Sequence, residues 1–345
     1  MPNKAIVVGI QAYPELPPAL QGPKNDATKF FNWVTTQGGV DGAAGDALLI
    51  LDDDPPAPTA LTAKPTAEII LSQFDALEDV AKHSPDGRAG DRLYLYLCGH
   101  GFGQNLNDAS LLMANATQDR TRNHIPGRPW ADHFFAHGYF KEVLLFVDCC
   151  RERYSTATLN GPGILVQPVP PLGARCFYGF ATKYGRLAVE RQIDGQMSGV
   201  FTATLLDALN GGASEEDGRI TGESLKAYIY ENMKGFLTPA DLLDKDVAKE
   251  PDLYCEPPED QFVITTVPPR RFDVTIPLPI SAQGGARQLF GEQGGKKYTK
   301  IAETAADGAL GWKLQLLRGT YLLLANGGNW VVTVKGRGAT DVANS

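Results

Sequence analysis

The most informative stretch of this chain is Arg92-Leu-Tyr-Leu-Tyr-Leu-Cys98-Gly-His100-Gly101, and a similar one follows at Val143-Leu-Leu-Phe-Val-Asp148-Cys149-Cys150-Arg151-Glu152. Each is an apolar run of strand length that ends in reactive side chains. Runs that are apolar throughout suit strands of a parallel sheet that is buried on both faces. In open α/β sheets the ligand binds just beyond the carboxyl ends of the strands. We therefore expect an imidazole and a thiol at the same edge of one sheet.

An imidazole beside a thiol is the arrangement that a cysteine nucleophile requires, because the imidazole holds the sulfur as thiolate. Side chains alternate along a strand, so only one of Cys149 and Cys150 can face such a site. A plainer alternative is a buried core thiol and a loop histidine without a chemical role. Another is a zinc site built from Cys98, His100, Cys149 and Cys150. Adjacent cysteines cannot easily ligate one tetrahedral ion, and the chain has no Cys-x-x-Cys frame, so we expect no metal.

The spacing and the flanking residues connect these two stretches to a known family. Cys150 follows His100 by 50 positions, and caspases carry their catalytic His about 50 residues before a Gln-Ala-Cys-[Arg/Gln/Gly]-Gly motif. The chain resembles the caspase-like cysteine peptidases, and within that clan a bacterial metacaspase-like or orthocaspase-like member. Asp148 stands where caspases carry Gln and metacaspases carry Asp, whereas Glu152 replaces the final Gly. Further marks of the resemblance, which covers roughly residues 4 to 265, are Leu20-Gln-Gly-Pro-Lys-Asn-Asp-Ala27, Ala188-Val-Glu190 and Gly199-Val-Phe-Thr-Ala-Thr-Leu-Leu206.

The resemblance implies a caspase-like three-layer α/β fold with a mostly parallel central sheet. Its Asp-x-Cys pattern selects Cys150 as the nucleophile, with His100 as general base and acid. The backbone N–H groups of Gly101 and Cys150 are the implied oxyanion site. The implied reaction is hydrolysis of a peptide bond through an acyl-enzyme, and it requires no cofactor.

The same resemblance assigns the substrate pocket. In caspases an Arg holds the substrate Asp, whereas in metacaspase-like relatives two acidic residues, at positions matching Asp26 and Asp148, hold Arg or Lys. Carboxylates bind a guanidinium through charge-assisted, often bidentate hydrogen bonds. We therefore expect protein or peptide substrates that are cut after Arg or Lys. Alternatively Asp26 only caps its helix, although Asn25 could do so instead. Cys98 and Glu190 are further candidates for the substrate cleft, with space filling and a surface position as their plainer roles.

Strands alternate with helices along most of the chain, as in parallel sheets that are covered on both faces. Beyond about residue 267 the patterns shorten, Gly, Asn and Asp fall between them, and no helical period appears. This change predicts a peptidase domain over 1–266 and a small sandwich-like all-β module over 267–345, with Pro268-Pro269 as the linker. Besides those that end in His100 and Cys150, the predicted strands are 4–10, 47–51 and 175–181. The predicted helices are one running from 25 to about 37, then 66–82, 130–137, 199–210 and 221–233.

Family members are often cut in the loop that follows the nucleophile. Cleavage concentrates in exposed loops and linkers. The candidate processing sites are therefore Arg151, Arg153, Arg270 and Arg271. We hypothesise that the enzyme is held in check until it is processed at one of them, or until the β-module binds a regulatory protein.

Composition narrows the remaining possibilities. The net charge of −8 over 345 residues argues against nucleic acid or an anionic membrane as the main partner. No signal peptide or membrane-span pattern is visible, and five cysteines without disulfide-like spacing suit a reduced, cytoplasmic compartment. The acidic run Asp52-Asp-Asp54 lacks the alternating ligands of an EF-hand loop, so no recognisable site supports calcium dependence.

Two rivals to the peptidase remain: a catalytically silent scaffold or binding protein with this fold, and an acyl transferase that uses the same thiol.

Overall fold

The computed structural model describes residues 1–345 except 104, 120–122, 154–160, 163–169, 294–295, 308, 338 and 345. The chain divides into two compact units. The first comprises Met1–Leu206 and Phe236–Phe262, and the second comprises Asp207–Gly235 and Val263–Ser345. The domain boundary expected at 266/267 stays a prediction.

A six-stranded sheet forms the centre of the first unit. Its strands, in spatial order, are β13 (Asp252–Cys255), β9 (Arg175–Phe180), β7 (Phe140–Asp148), β3 (Gly90–Cys98), β1 (Lys4–Gly9) and β2 (Ala47–Leu51). All neighbours are parallel except β13, which runs antiparallel to β9 at one edge. The α/β class and the mostly parallel sheet expected from the sequence are thus confirmed. β13 was not foreseen, because its four residues lack an extended apolar run.

Helices cover both faces of this sheet, since side chains of each strand alternate between the faces. On one face Tyr96 stacks on Phe30 of the first helix, with ring centroids 4.6 Å apart. On the other, Leu95 belongs to the same buried cluster as Phe74 and Trp130 from the next two helices. The helices of this unit are α1 (Pro23–Thr36), α2 (Ala67–His83), α3 (Gly127–Ala136), α4 (Val200–Asp207) and α6 (Pro239–Leu243).

Two smaller sheets lie in the same unit. One has the order β6-β5-β4-β8, where β4 and β8 are parallel with Phe102 opposite Glu152. The other is an antiparallel hairpin of β10 and β11. Their bounds are β4 (Gly101–Gly103), β5 (Ser110–Leu112), β6 (His124–Pro126), β8 (Glu152–Arg153), β10 (Glu190–Ile193) and β11 (Gln196–Gly199).

The start of α1 differs from the expectation. The helix begins at Pro23, with Gly22 as a residue that provides no side-chain cap. Proline suits this first position because its missing N–H has no partner in a helix. Neither Asn25 nor Asp26 caps the helix, since both side chains are hydrogen-bonded to residues around 198. The helix expected over 199–210 also ends early, at Asp207, and continues as a π-helical turn over Ala208–Gly212.

The second unit contains one α-helix and antiparallel strands. Helix α5 (Gly222–Asn232) begins with a capping box between Thr221 and Ser224, and Tyr228 stacks on Phe272 at 6.5 Å. The β-structure expected in the C-terminal region is confirmed and takes the form of antiparallel sheets. The strands are β12 (Arg219–Thr221) with β14 (Val263–Thr266), β15 (Phe272–Pro277) with β18 (Gly311–Leu316), and a five-stranded sheet of β17 (Lys296–Thr304), β16 (Arg287–Gln293), β19 (Gly319–Ala325), β20 (Gly328–Gly336) and β21 (Ala339–Asn344).

None of the helices in the described ranges is both long enough and apolar enough to span a bilayer.

Candidate active site

One cavity of about 360 Å³ lies beyond the carboxyl ends of β3 and β7. Its position agrees with the general location of ligand sites in open α/β sheets. The predicted pair, His100 and Cys150, both line it. The other predicted site residues in its wall are Asp26, Cys98, Gly101, Asp148 and Glu190.

The two adjacent cysteines face different surroundings. Cys149 is 2% exposed and belongs to the core, with its thiol 4.0 Å from the carbonyl oxygen of Ser110. Cys150 is half-buried in the cavity wall, and its thiol donates to the carbonyl oxygen of Ala188 at 3.7 Å. Burial raises the pKa of the Cys150 thiol to about 11, and the neighbouring carboxylates add to the rise. The sulfur is therefore protonated at neutral pH, and a base must remove its proton before it can react as a thiolate.

His100 is held by two groups from the loop after β1. Its backbone N–H donates to the Tyr13 hydroxyl at 3.0 Å, and the Tyr13 ring packs against the imidazole with centroids 4.8 Å apart. Nε2 lies 2.8 Å from the carbonyl oxygen of Pro18. A carbonyl can only accept, so Nε2 carries the hydrogen and the neutral ring keeps the lone pair of Nδ1 available as a base. No hydrogen bond joins His100 to Cys150 among the described residues.

Glycine follows His100 for a steric reason. A Cβ at Gly101 would overlap the Cys149 sulfur and would lie 2.6 Å from the Ser110 carbonyl oxygen. Only glycine lets the backbone run this close to the end of β7. Gly101 thus lines the cavity together with His100 and Cys150.

Asp26 and Asp148 form the acidic part of the cavity. Asp26 accepts from the Ser198 hydroxyl and from the Gly199 N–H, the latter at 2.7 Å. Asp148 accepts from the Thr202 N–H at 3.1 Å and from its hydroxyl at 2.6 Å. A Cβ at Gly199 would overlap the Asp148 carboxylate, so this glycine makes room for it. The residues at 198–202 thus hold both carboxylates.

Burial dominates the electrostatics of this pair. It raises the pKa of Asp148 to about 6, and it raises that of Asp26, with the repulsion from Asp148, to about 7. One ligand atom each of Asp26, Cys98 and Asp148 lies within 4.8 Å of the others, so these three could hold a metal ion. The zinc ligand set considered from the sequence, with His100 and both adjacent cysteines, is a different one.

Glu190 lies at the edge of the cavity and binds backbone. Its carboxylate accepts from the N–H of Gln21 at 3.1 Å and from that of Gly22 at 2.9 Å. The contact joins β10 to the segment that leads into α1, so Glu190 shapes the wall of the cavity close to Asp26.

Arg151 contradicts the expectation of an exposed cut point. Its side chain is fully buried and donates to the carbonyl oxygens of Asp108 and Thr182, each at 3.0 Å, and to the Asp252 carboxylate at 2.7 Å. A guanidinium held in this way cannot enter a protease pocket unless the surrounding structure opens. The side chain of Arg153 and residues 154–160 and 163–169 lie outside the described residues.

The two arginines near the expected linker differ from each other. Arg271 is exposed, whereas Arg270 is half-buried and forms an ion pair with Asp207 at 2.7 Å. Of these two, Arg271 is the more accessible to a protease.

Sequence reasoning missed four groups in the site. They are the Tyr13 hydroxyl, the Pro18 carbonyl, the Ser198 hydroxyl and Thr202. Thr202 lies within a stretch that resembles the family, but that resemblance gave no role for it. Tyr13 and Pro18 act through a hydroxyl and a backbone carbonyl in a proline-rich loop, where no local pattern reveals a partner.

Comparison with known proteins shows the family to which this chain belongs. Residues 2–237 match the family model of the caspase domain, so the chain belongs to the caspase-domain family of cysteine peptidases. A protein described as a probable protease from a Desulfuromonadales bacterium is 29% identical over 219 residues, which cover 61% of this chain and 26% of that protein. The chain thus spans about a quarter of the length of that relative. The crystal structure of caspase-1 from Spodoptera frugiperda has a TM-score of 0.45 and 11% sequence identity, over 77% of this chain and 93% of that one.

Proposed function

We propose that this protein is a metacaspase-like cysteine endopeptidase that hydrolyses peptide bonds after Arg or Lys through a dyad of Cys150 and His100. The observation that carries the proposal is that the two buried carboxylates, Asp26 and Asp148, line the same cavity as the thiol and the imidazole. A nucleophile, a base and a cation-binding pocket therefore meet in one concave site.

The acidic pair supports a basic residue before the cut. Two carboxylates with ligand atoms within 4.8 Å of each other repel one another when both are ionised. A guanidinium or an ammonium between them would remove that repulsion and bind both through charge-assisted hydrogen bonds. An aspartate side chain would add a third negative charge. The pocket thus favours Arg and Lys over Asp.

The chemistry follows from the tautomer of His100. Nδ1 would take the proton of Cys150, while the Pro18 carbonyl keeps Nε2–H in place. The thiolate attacks the carbonyl carbon of the substrate, and the N–H groups of Gly101 and Cys150 would stabilise the oxyanion. His100 then gives its proton to the departing amine, and water hydrolyses the acyl-enzyme. Apart from the substrate and this water, the groups named in these steps belong to this chain.

Fluorogenic peptides that differ only in the last residue test the proposal. We expect hydrolysis after Arg and Lys, little after Asp, and none by Cys150→Ala or His100→Ala. Preference for Asp would refute the assignment of Asp26 and Asp148 as the pocket for a basic residue. It would not affect the assignment of Cys150 as the nucleophile. Activity in Cys150→Ala would refute the nucleophile. Product analysis with an added amine separates hydrolysis from acyl transfer.

Regulation by processing is part of the proposal. Arg271 is the exposed candidate near the start of β15, and Arg153 is the candidate after the nucleophile. Intact mass before and after incubation, for wild type and Cys150→Ala, shows whether the enzyme cuts itself. A mass change in wild type alone supports self-processing. The antiparallel strands of 267–345 are the proposed site for a regulatory protein.

A further inference from the structure

The cavity that holds Cys150 has a strongly one-sided charge. Four carboxylates line it, those of Asp26, Asp148, Glu152 and Glu190, and none of its described lining residues is a lysine or an arginine. Three of the four accept hydrogen bonds from hydroxyl or backbone groups nearby. The fourth, Glu152, is exposed and forms no ion pair with any described residue. Among the four carboxylates, Glu152 is therefore the one whose charge is available to bind a cation.

Two strand registers set the positions of Asp148 and Glu152 on either side of Cys150 along the chain. Cys98 of β3 is opposite Asp148 of β7, and Phe102 of β4 is opposite Glu152 of β8. His100 and Cys150 lie between these two pairs along the chain. One carboxylate thus precedes the nucleophile by two residues and another follows it by two. Both carboxylates line the same cavity as the thiol.

The effect of Glu152 on the sulfur supports this placement. Burial accounts for most of the raised pKa of the Cys150 thiol, and among the carboxylates Glu152 contributes more than Asp148 or Glu190. The charge of Glu152 opposes formation of the thiolate, and a cation that binds Glu152 would relieve that effect.

A substrate runs through this site in one direction. If the residue before the cut occupies the pocket of Asp26 and Asp148, and Glu190 stays bound to backbone, Glu152 is the carboxylate of the cavity that remains for the residue after the cut. We propose that Glu152 recognises a lysine or arginine directly after the cut, so that preferred substrates carry two adjacent basic residues with the cleaved bond between them. This inference rests on the proposed function. Glu152 replaces the glycine that ends the caspase motif, so it adds a charge to the site.

Internally quenched peptides with Arg before the cut and Lys, Gln or Glu after it test the inference. In wild type we expect kcat/KM for the Arg-Lys peptide to be about fivefold above that for Arg-Gln, the range of a partly exposed charge pair. The Arg-Glu peptide should fall below both. In Glu152→Gln the ratio should drop to about 1. Because the readout is a ratio of two substrates, any effect of the substitution on the thiol itself cancels.

Glu68→Gln is the matched control, because Glu68 is an exposed glutamate of α2 that does not line the cavity. It should keep the wild-type ratio. Raising the salt to about 0.5 M should weaken the preference for Lys, because salt screens exposed charges. The inference is overturned if Glu152→Gln keeps the wild-type ratio of kcat/KM for the Arg-Lys and Arg-Gln peptides. It is also overturned if that ratio is near 1 in the wild type. If wild type cuts after Arg regardless of the next residue, only this inference fails. If it does not cut after Arg, the proposed function fails too.

Discussion

Cys98 and Asp148 are direct partners in the parallel register of β3 and β7, and the same offset of 50 positions joins Phe102 to Glu152 on the two short strands that follow. His100 and Cys150 have that offset as well. The spacing of these two residues along the chain thus equals the register offset of the neighbouring strand pairs. A parallel register fixes which residues leave the sheet side by side, and here it brings an imidazole and a thiol to one cavity.

The pocket assignment predicts a substrate-specific defect in Asp148→Asn. The variant keeps the shape of the side chain and removes its charge. Loss of one partner of a buried charge pair costs about 2 to 5 kcal/mol, so kcat/KM for an Arg peptide should fall at least about thirtyfold. A peptide with a neutral residue before the cut should change little. Asp75→Asn, an exposed aspartate of α2, is the control. Equal losses for the charged and neutral peptides would contradict the assignment.

The acidic pair also predicts how binding depends on pH. In the empty pocket the pKa of Asp148 is raised to about 6 and that of Asp26 to about 7. A bound guanidinium favours the ionised forms and lowers both pKa values, so binding releases protons and strengthens as the pH rises from 5 to 8. Each unit of lowered pKa corresponds to about a tenfold gain in affinity. Calorimetry of an Arg peptide with Cys150→Ala, in buffers of different ionisation enthalpy, measures both quantities. Affinity that is flat or falls over this range would contradict the prediction.

Substitution of Thr202 is expected to change KM without changing kcat. Its hydroxyl and its N–H both donate to Asp148, and Thr202→Val removes the hydroxyl with little change in shape. We expect KM for an Arg peptide to rise roughly tenfold, the size of a hydrogen bond to a charged group, with kcat within about twofold. Thr204→Val is matched, because Thr204 is equally buried in α4 and its hydroxyl donates to Val200. Thr204→Val should leave KM unchanged. The role given to Thr202 is wrong if both variants raise KM alike.

How far the sequence predicts this molecule is clearest at α1. The strands that end in Cys98 and Asp148 could be predicted, because unbroken apolar runs mark buried parallel strands. The start of α1 could not, because it depends on partners far along the chain. Asn25 donates to the carbonyl of Met197, and Asp26 accepts from Ser198, so neither is available to cap the helix. The capping preference of Asn25 and Asp26 is therefore overridden by hydrogen bonds to residues far along the chain.

The candidate site divides in the same way. Residues that we propose to act through their own chemistry, such as His100 and Cys150, stand out because their side chains are reactive and follow apolar strands. Groups that act by position do not. The Tyr13 hydroxyl and the Pro18 carbonyl both accept hydrogen bonds from His100. The Glu190 carboxylate accepts a hydrogen bond from the backbone N–H of Gly22. Only the tertiary structure brings them to the cavity.

Substitution of Arg151 is expected to lower the stability of the protein strongly. Its buried guanidinium donates to three carbonyls and one carboxylate from three separate segments, and Arg151→Met would remove all of these hydrogen bonds. We expect the free energy of unfolding to fall by about 3 kcal/mol or more. Arg186→Met is the control, because Arg186 is exposed and surface changes stay within about 0.5 kcal/mol. Chemical denaturation of the two variants measures the difference. Similar losses would show that Arg151 has no special structural role.

The central claim is that His100 activates Cys150 in a pocket built for a basic residue. The most direct test is labelling with an acyloxymethylketone that carries Arg, followed by mass spectrometry of the modified peptide. We predict that the label is found on Cys150 in the wild type, that it is strongly reduced in His100→Ala, and that the matching Asp reagent labels poorly. Labelling of Cys149 or Cys98 instead, or equal labelling of Cys150 with and without His100, would contradict the claim.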